Sequence, residues 1–234
     1  MGELTGADRS GVLPPAPGAR SPGKGGLLEA ATVAFAQRGY HGVSVRDLAA
    51  SVGIQGASFY AHFASKEALL YELMRTGHEA HQVHLRDAIL SAGSEPVVQL
   101  RAAVRANVLF HATYPMLTMV ANSELHALAP DHRAVIVDMR RMSGVLFAAV
   151  LERGDSIGAF DCGDPWLAMS AIAGMSVRVA WWFRPPSPPT DEPLSSYPAE
   201  AATWLPDRDR DAEVIADAYA DYALRIVGAV GADR

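Results

Sequence analysis

The sequence is almost free of cysteine, because Cys162 is the only one in 234 residues. Neither a disulfide framework nor a cysteine-based zinc site can form within one chain, and we expect a protein of the reducing cytoplasm. A continuous apolar leader is lacking as well. Residues 1–22 are rich in Gly, Pro, Ala and Ser, which predicts a disordered tail and not a targeting segment.

Motifs that carry enzyme chemistry are also missing. The chain has no Gly-x-Ser-x-Gly, no phosphate-binding glycine loop, no dinucleotide fingerprint and no cysteine in a nucleophile context. No period-2 run or hairpin turn predicts a β-strand, and no internal repeat is present. We therefore expect an all-α protein that is not an enzyme and that has no cofactor.

One apolar stretch approaches the length of a membrane span, which needs about 18 residues. It covers residues 166–183 and contains a single charge, Arg178, with no basic run beside it. A helix that is apolar on all sides is typical of a buried core position. We expect this helix in the core, and no membrane segment.

The most informative stretch is residues 44–66, which predicts two short helices, a tight turn between them and the start of a third helix. Ser44 is a candidate N-cap, and Asp47 three residues later resembles a capping box. Gly53 lies where the chain must turn. The second helix is expected over about residues 55–61. This order is typical of a helix-turn-helix, whose second helix enters the major groove of DNA.

The same residues resemble a known family. Residues 53–69, GIQGASFYAHFASKEAL, resemble the signature of TetR-type transcriptional repressors, and residues 34–45 resemble that family's first helix and turn. The resemblance covers about residues 24–75. A small helical bundle without a DNA role is the alternative. The residues that we expect to contact DNA are Ser44, Arg46, Gln55, Gly56, Ala57, Ser58, Tyr60, His62 and Lys66.

The sequence departs from the family pattern at three positions. The family commonly has Lys at Gly56, Gly at Ala57 and Tyr at His62. The missing Lys removes one expected phosphate contact. Residues 1–66 carry six Lys or Arg against four Asp or Glu, whereas the rest carries 14 against 22. This mildly basic part needs a second copy to double its DNA contacts.

The chain is expected to divide into a tail (1–22), a three-helix helix-turn-helix domain (23–66) and a six-helix domain for ligand binding and dimerisation (67–234). Proline and glycine positions delimit the six helices. Gly154 is expected to close the long helix that begins at Pro130, and the last helix is expected over about residues 209–230. Residues 185–207 are proline-rich and predict an irregular loop.

The last helix carries an apolar stripe at helical spacing. The resemblance implies that the final two helices pair with those of a second copy in a four-helix interface. Aromatic residues suit such an interface, so we expect a homodimer. The alternative is that the stripe belongs to the core of one chain. The stripe consists of Ile215, Tyr219, Tyr222 and Ile226.

The larger domain is rich in methionine, which lines adaptable apolar pockets, although ordinary core packing is the alternative. Arg178 is the sharper signal, because a buried charge requires a partner. Trp182 lies one helical turn on, and the two could hold an anionic, ring-containing group. An ion pair of Arg178 with Glu124 or Asp138 is the alternative. The residues expected to contact a ligand are Met116, Met119, Asn122, Met142, Phe147, Met175, Arg178, Trp181 and Trp182.

Residues 124–133, 151–154, 158–160 and 182–185 resemble a TetR subgroup that controls lipid and steroid catabolism and responds to acyl-CoA thioesters. In that subgroup an Arg and a Trp four residues apart contact the CoA ligand. The resemblance implies a repressor that leaves a palindromic operator when an apolar effector binds. A multidrug-type sensor and a helical acyl-CoA-binding protein that no longer reads DNA are the alternatives.

His78, His81 and His84 follow each other at three-residue steps, with Glu79 nearby. Such steps spread the three side chains over a broad helix face, which suits a single tetrahedral metal poorly. We expect histidines that line a pocket or face solvent, and no metal site.

Overall fold

The computed structural model of the chain describes residues 12–15, 21–183 and 211–229. Within these ranges the protein consists of helices and connecting turns without a β-strand, which confirms the all-α fold. The helices are α1 (Pro22–Arg38), α2 (Val45–Ser51), α3 (Gly56–Phe59), α4 (Lys66–Ser91), α5 (Pro96–Thr113), α6 (Pro115–Ser123), the 3-10 helix Leu125–Ala127, α7 (Pro130–Ser156), α8 (Pro165–Val177), α9 (Val179–Trp182) and α10 (Ala212–Ile226). In the described residues, six further α-helices follow the first three, as predicted, when α9 is counted as a continuation of α8.

Two compact units can be distinguished. The first contains the described residues up to Ala80 together with Tyr114–Val137, and the second contains His81–Thr113 and the described residues from Asp138 onward. The predicted domain boundaries after residues 22 and 66 both lie inside the first unit. The division into a DNA-binding domain and a ligand-binding domain at these boundaries stays a prediction.

The first unit is built around α1. This helix begins at Pro22, where proline is favoured because the first helical N–H needs no partner, and it ends at Gly39 with φ of 70°. Its inner face packs into an apolar core together with buried residues of α2, α3 and α4. The largest fully buried side chains of this unit are Leu27, Leu28, Phe35, Leu48, Phe59, Leu69, Leu70, Leu73, Met74 and Leu117.

Part of the predicted tail is packed and not disordered. Val12 and Pro14 are buried, so the prediction of a disordered tail does not hold for this short stretch. Residues 1–11 and 16–20 lie outside the described residues.

The second unit places α5 against α10. Leu100, Val104, Ala216 and Ala220 are fully buried members of its core. Acidic residues of α10, spaced one turn apart, pair with two arginines of α5. The pairs are Arg101 with Asp221 at 2.6 Å, and Arg105 with both Glu213 and Asp217.

Three predicted helix ends differ from the structure. Gly154 does not end α7, which continues to Ser156; a Cβ on Gly154 would overlap the Phe160 ring, so this glycine serves packing. The apolar helix is interrupted at Arg178 and is not continuous to residue 183. The last helix is shorter than the predicted 209–230. The proline-rich stretch 185–207 lies outside the described residues.

The apolar helix is also not buried on all sides. Trp166 is 67% exposed and Leu167 is 63% exposed, so the expectation of a core helix is wrong for one of its faces. Among the described helices, none is long and apolar enough to cross a membrane.

Candidate nucleic-acid interface and effector-binding residues

The helix-turn-helix has the local structure that its sequence predicts. The Ser44 side chain accepts a hydrogen bond from the Asp47 N–H at 3.1 Å, and the Asp47 carboxylate accepts one from the Ser44 N–H at 2.9 Å. The bond from the Ser44 N–H to the carboxylate is the main cause that holds the pKa of Asp47 below its ordinary value. Gly53 has φ of 70°. The capping box and the glycine turn are therefore confirmed.

The second helix of the motif separates an anchoring side from a presented side. Phe59 and Phe63 are buried with their ring centroids 5.9 Å apart, and they fix α3 to the core. Gln55 and Ser58 are exposed, and Tyr60 is 60% exposed. Tyr60 is therefore presented to solvent and does not anchor the helix.

The predicted DNA residues fall into two groups by exposure. Gly56 is partly buried, and Lys66 is partly buried as well. The remaining seven are open to solvent. The exposed members are Ser44, Arg46, Gln55, Ala57, Ser58, Tyr60 and His62.

Lys66 has a structural task that the sequence pattern did not indicate. Its Nζ donates to the backbone carbonyls of Tyr40 at 2.8 Å and Val43 at 2.7 Å, and it lies 4.1 Å from the centre of the Tyr40 ring. Burial lowers the pKa of Lys66, against the opposing attraction of Glu124. The side chain thus joins the start of α4 to the turn between α1 and α2. A phosphate contact would compete with these two bonds.

His62, which follows α3 in the sequence, contacts the beginning of α1. A Cβ built on Gly23 would come within 2.7 Å of the His62 Nε2. The imidazole therefore rests directly on the first turn of α1, which only a glycine allows without displacement of the ring.

Two basic side chains near the motif lie beside acidic side chains of the same chain. Lys24 pairs with Glu72 at 2.9 Å, and Arg38 lies 4.0 Å from Asp47. Arg46 is exposed on α2. The motif can therefore offer few cations to a phosphate backbone.

The predicted ligand residues are divided between the two compact units. Those on α6 belong to the first unit, and those on α7, α8 and α9 belong to the second. Asn122 is exposed and donates to the Thr118 carbonyl of its own helix at 2.7 Å. Met142 is 45% exposed, whereas Phe147 is buried. Partial burial is found for Met116, Met119, Met175, Trp181 and Trp182.

Arg178 is exposed, so the prediction of a buried charge is wrong. Because the helix is interrupted at Arg178, the side chains after it do not have the directions expected for a continuous helix. The Arg178 guanidinium lies 4.8 Å from the centre of the Trp181 ring. Trp182 instead lies 6.4 Å from Tyr219, measured between ring centroids. The Arg178–Trp182 pair predicted from i+4 spacing is replaced by an Arg178–Trp181 pair. Asp138, a proposed partner of Arg178, pairs with Arg141 at 2.6 Å.

His81 of α4 and His111 of α5 both bind Asn107, a residue that the sequence did not indicate. His81 Nε2 donates to the Asn107 side-chain oxygen at 2.8 Å, and His111 Nδ1 donates to the Asn107 carbonyl at 2.8 Å. Burial lowers the pKa of His111 to about 3, and it also lowers the pKa of His81. The helical spacing of Asn107 and His111 was the available signal. Within the described residues, no group of three or more His, Cys, Asp or Glu could hold a metal ion.

Both α8 and α10 leave apolar residues exposed, and we term these two sets of residues the apolar rows. The predicted stripe of α10 is divided, because Ile215 is buried and Tyr219 is partly buried, whereas Tyr222 and Ile226 face solvent. The apolar rows consist of Trp166, Leu167, Ala171 and Gly174 on α8, and Val214, Tyr222 and Ile226 on α10.

Comparison with known proteins identifies the family. Residues 27–73 match bacterial regulatory proteins of the tetR family, and residues 93–203 match the tetracyclin repressor-like C-terminal domain. The HTH-type transcriptional repressor KstR2 of Mycobacterium tuberculosis is 30% identical over 172 residues, which are 71% of this chain and 84% of KstR2.

Solved structures share the fold. A tetR-family regulatory protein from Rhodococcus RHA1 has a TM-score of 0.74 and 29% identity, covering 90% of this chain and 100% of that one. AibR, in complex with isovaleryl coenzyme A and operator DNA, has a TM-score of 0.70 and 22% identity, covering 88% of this chain and 98% of AibR. Sequence and fold agree, and the chain belongs to the TetR family of bacterial transcriptional regulators.

Proposed function

We propose that the protein is a homodimeric repressor that binds a palindromic operator and leaves it when an apolar effector binds, with an acyl-CoA thioester as the first candidate. The observation that carries the proposal is the helix-turn-helix surface. Buried Phe59 and Phe63 hold α3 in place, while Gln55, Ser58 and Tyr60 face solvent. Hydrogen-bonding groups presented on and beside a short helix that is anchored in the core are what base and phosphate contacts require.

The homodimer is supported by the apolar rows. Exposed apolar side chains on neighbouring positions of a soluble protein mark an interaction surface. A second copy is the partner that a palindromic operator demands, because the symmetry of the protein then matches that of the DNA. Ala171 and Gly174 are small enough for close helix approach, and Trp166 and Tyr222 supply the aromatic area typical of interfaces.

The acyl-CoA effector is supported by a relative and by one side-chain pair. AibR, which shares the fold, was solved with isovaleryl coenzyme A. In this chain Arg178 presents an exposed guanidinium over the Trp181 ring. A guanidinium binds phosphate through paired hydrogen bonds, and an indole stacks on a flat ring. Together they match the phosphates and the adenine of coenzyme A.

The release mechanism is a shift of population between two states. The effector binds better to a state in which the two recognition helices no longer match half-sites about 34–36 Å apart. A difference of a few kcal/mol in effector affinity between the two states is sufficient to empty the operator.

Footprinting of the DNA beside the protein's own gene, with and without isovaleryl-CoA or a longer acyl-CoA, tests the proposal. A protected palindrome that becomes accessible when acyl-CoA is added is the expected result. Absence of any protected sequence would contradict DNA binding, and protection that survives every acyl-CoA would contradict the effector alone. A drug effector predicts that Arg178→Ala retains release, whereas an acyl-CoA effector predicts that Arg178→Ala loses it.

A helical acyl-CoA-binding protein without DNA binding is the second candidate. The observation that favours it is the lack of Asp, Glu, Lys and Arg throughout residues 48–65. Retention on operator DNA that falls steeply as salt rises would exclude this candidate.

A further inference from the structure

The presented side of the recognition surface is electrically neutral. Residues 48–65 contain no Asp, Glu, Lys or Arg. Discrimination between base pairs at this surface must therefore come from neutral hydrogen-bonding groups or from methyl contacts. The exposed residues from the turn to the end of the motif include Gln55, Ala57, Ser58, Tyr60, Ala61 and His62.

Most of these residues cannot select a base by hydrogen bonding. Ala57 and Ala61 have no hydrogen-bonding side chain. The Ser58 hydroxyl can donate or accept and so pairs with any base. Tyrosine hydroxyls in protein–DNA complexes commonly bind phosphate, which carries no sequence information. The His62 ring rests against the first turn of α1.

Gln55 differs in geometry and in chemistry. It precedes α3 in an extended conformation, with φ of −73° and ψ of 150°, and its side chain makes no capping hydrogen bond to the described residues of the helix. The amide is therefore available. Gly56 follows, and apart from the adjacent residues and the helix backbone, no described atom lies within 4 Å of where its Cβ would be. A glycine beside Gln55 leaves room for a base edge to approach the amide.

We propose that Gln55 reads one adenine in each operator half-site. Its side-chain oxygen accepts a hydrogen bond from adenine N6, and its side-chain nitrogen donates one to adenine N7. This pairing is specific because no other base offers that donor and acceptor in the major groove. The inference rests on the proposed DNA-binding function and adds the base that is read and the residue that reads it.

The experiment uses the full-length protein and DNA selected by it from a random pool. Affinities are then measured by fluorescence anisotropy for the selected sequence and for every single base-pair change in one half-site. At one position, replacement of A·T is expected to weaken binding by about 5- to 150-fold. In Gln55→Ala, this preference should disappear at that position alone. An operator with 7-deazaadenine there, which lacks the N7 acceptor, should bind the wild type weakly and Gln55→Ala no worse than the adenine operator.

Two variants sharpen the result. Gln55→Glu keeps the side-chain length but only accepts hydrogen bonds, so the preferred base at the same position should change from adenine to cytosine, whose N4 donates. Arg46→Ala removes an exposed cation of α2 and should weaken all sequences by a similar factor, with a smaller dependence on salt.

The outcomes separate the inference from the proposed function. If the wild type selects no sequence, both are wrong. If it selects one and Gln55→Ala keeps every base preference, or weakens all sequences equally, this inference is wrong and DNA binding stands. Thermal unfolding of Gln55→Ala should match that of the wild type, because the side chain is exposed.

Discussion

The recognition surface and the α5–α10 packing use charge in opposite ways. Between α5 and α10, Arg101 and Arg105 are each engaged by carboxylates of the facing helix. At the recognition surface, by contrast, residues 48–65 have no charge at all, and the nearby Lys24 and Arg38 lie beside acids. Charged side chains are therefore paired where α5 meets α10, whereas the surface that we propose to contact DNA presents neutral groups. We expect the DNA affinity of such a surface to depend on base contacts and on two copies more than on general attraction to phosphate.

The largest expected effect concerns the two copies. Leu167→Asp combined with Tyr222→Asp places carboxylates in both apolar rows, and we expect a monomer in analytical ultracentrifugation. Operator affinity should fall by at least about 100-fold, because two linked half-site contacts become one. Val98→Asp, an exposed change on α5 outside the apolar rows, should remain dimeric. A double variant that still binds operator with wild-type affinity would contradict the dimer proposal.

A smaller effect is expected from close packing in the second unit. Gly154→Ala would press a methyl group into the Phe160 ring, and such overpacking costs about 1–3 kcal/mol. The free energy of unfolding from urea titration measures it. Gly56→Ala in the recognition surface is the matched control: its Cβ meets open space, so we expect a change within about 0.5 kcal/mol. If both substitutions changed the free energy of unfolding equally, the difference in packing between Gly154 and Gly56 would be contradicted.

The buried histidines add a pH dependence to the second unit. Burial holds the pKa of His111 at about 3, whereas the unfolded chain takes up this proton near pH 6.5. Stability from this group is therefore complete above about pH 6.5 and falls as the pH drops towards 3. We expect a loss of about 2 kcal/mol between pH 6.5 and pH 5, measured by urea unfolding.

The pH dependence can be assigned by substitution. His111→Gln should show a shallower loss with falling pH, whatever its stability at pH 7.5. His84→Gln, at an exposed position, should keep the wild-type slope. If the two slopes are the same, His111 is not the source.

The smallest effect concerns the ion pairs. Arg105→Met removes the pairs with Glu213 and Asp217, whose carboxylates are more than half exposed. Exposed pairs contribute about 0–1 kcal/mol, so the free energy of unfolding should change by no more than this, and less in high salt. A larger loss would show that the α5–α10 contact depends on charge more than on its apolar core.

Features with local causes could be predicted from the sequence. The capping box of Ser44 and Asp47 and the left-handed turn at Gly53 each depend on a few adjacent residues, and the structure has both. The all-α class follows in the same way from helical spacing and from the absence of strand patterns.

Features with long-range causes could not be predicted. The helix break that exposes Arg178 lies in an apolar run without a polar face, so no periodicity marked its orientation. The bonds of Lys66 to Tyr40 and Val43 bridge more than twenty positions of the chain. The sequence predicts a helix end at Gly154. Its contact with Phe160 could not be predicted, because it depends on how the chain returns after α7.

The open space at Gly56 bears on how this regulator can evolve. Apart from the adjacent residues and the helix backbone, no described atom lies within 4 Å of its missing side chain, and Gln55 beside it faces solvent. Mutations at these two positions therefore alter the surface that we propose to contact DNA with little cost to folding. A duplicated gene could therefore acquire a new target sequence by single steps, each yielding a folded intermediate. The same freedom is absent at Lys66, where a change would loosen the motif itself.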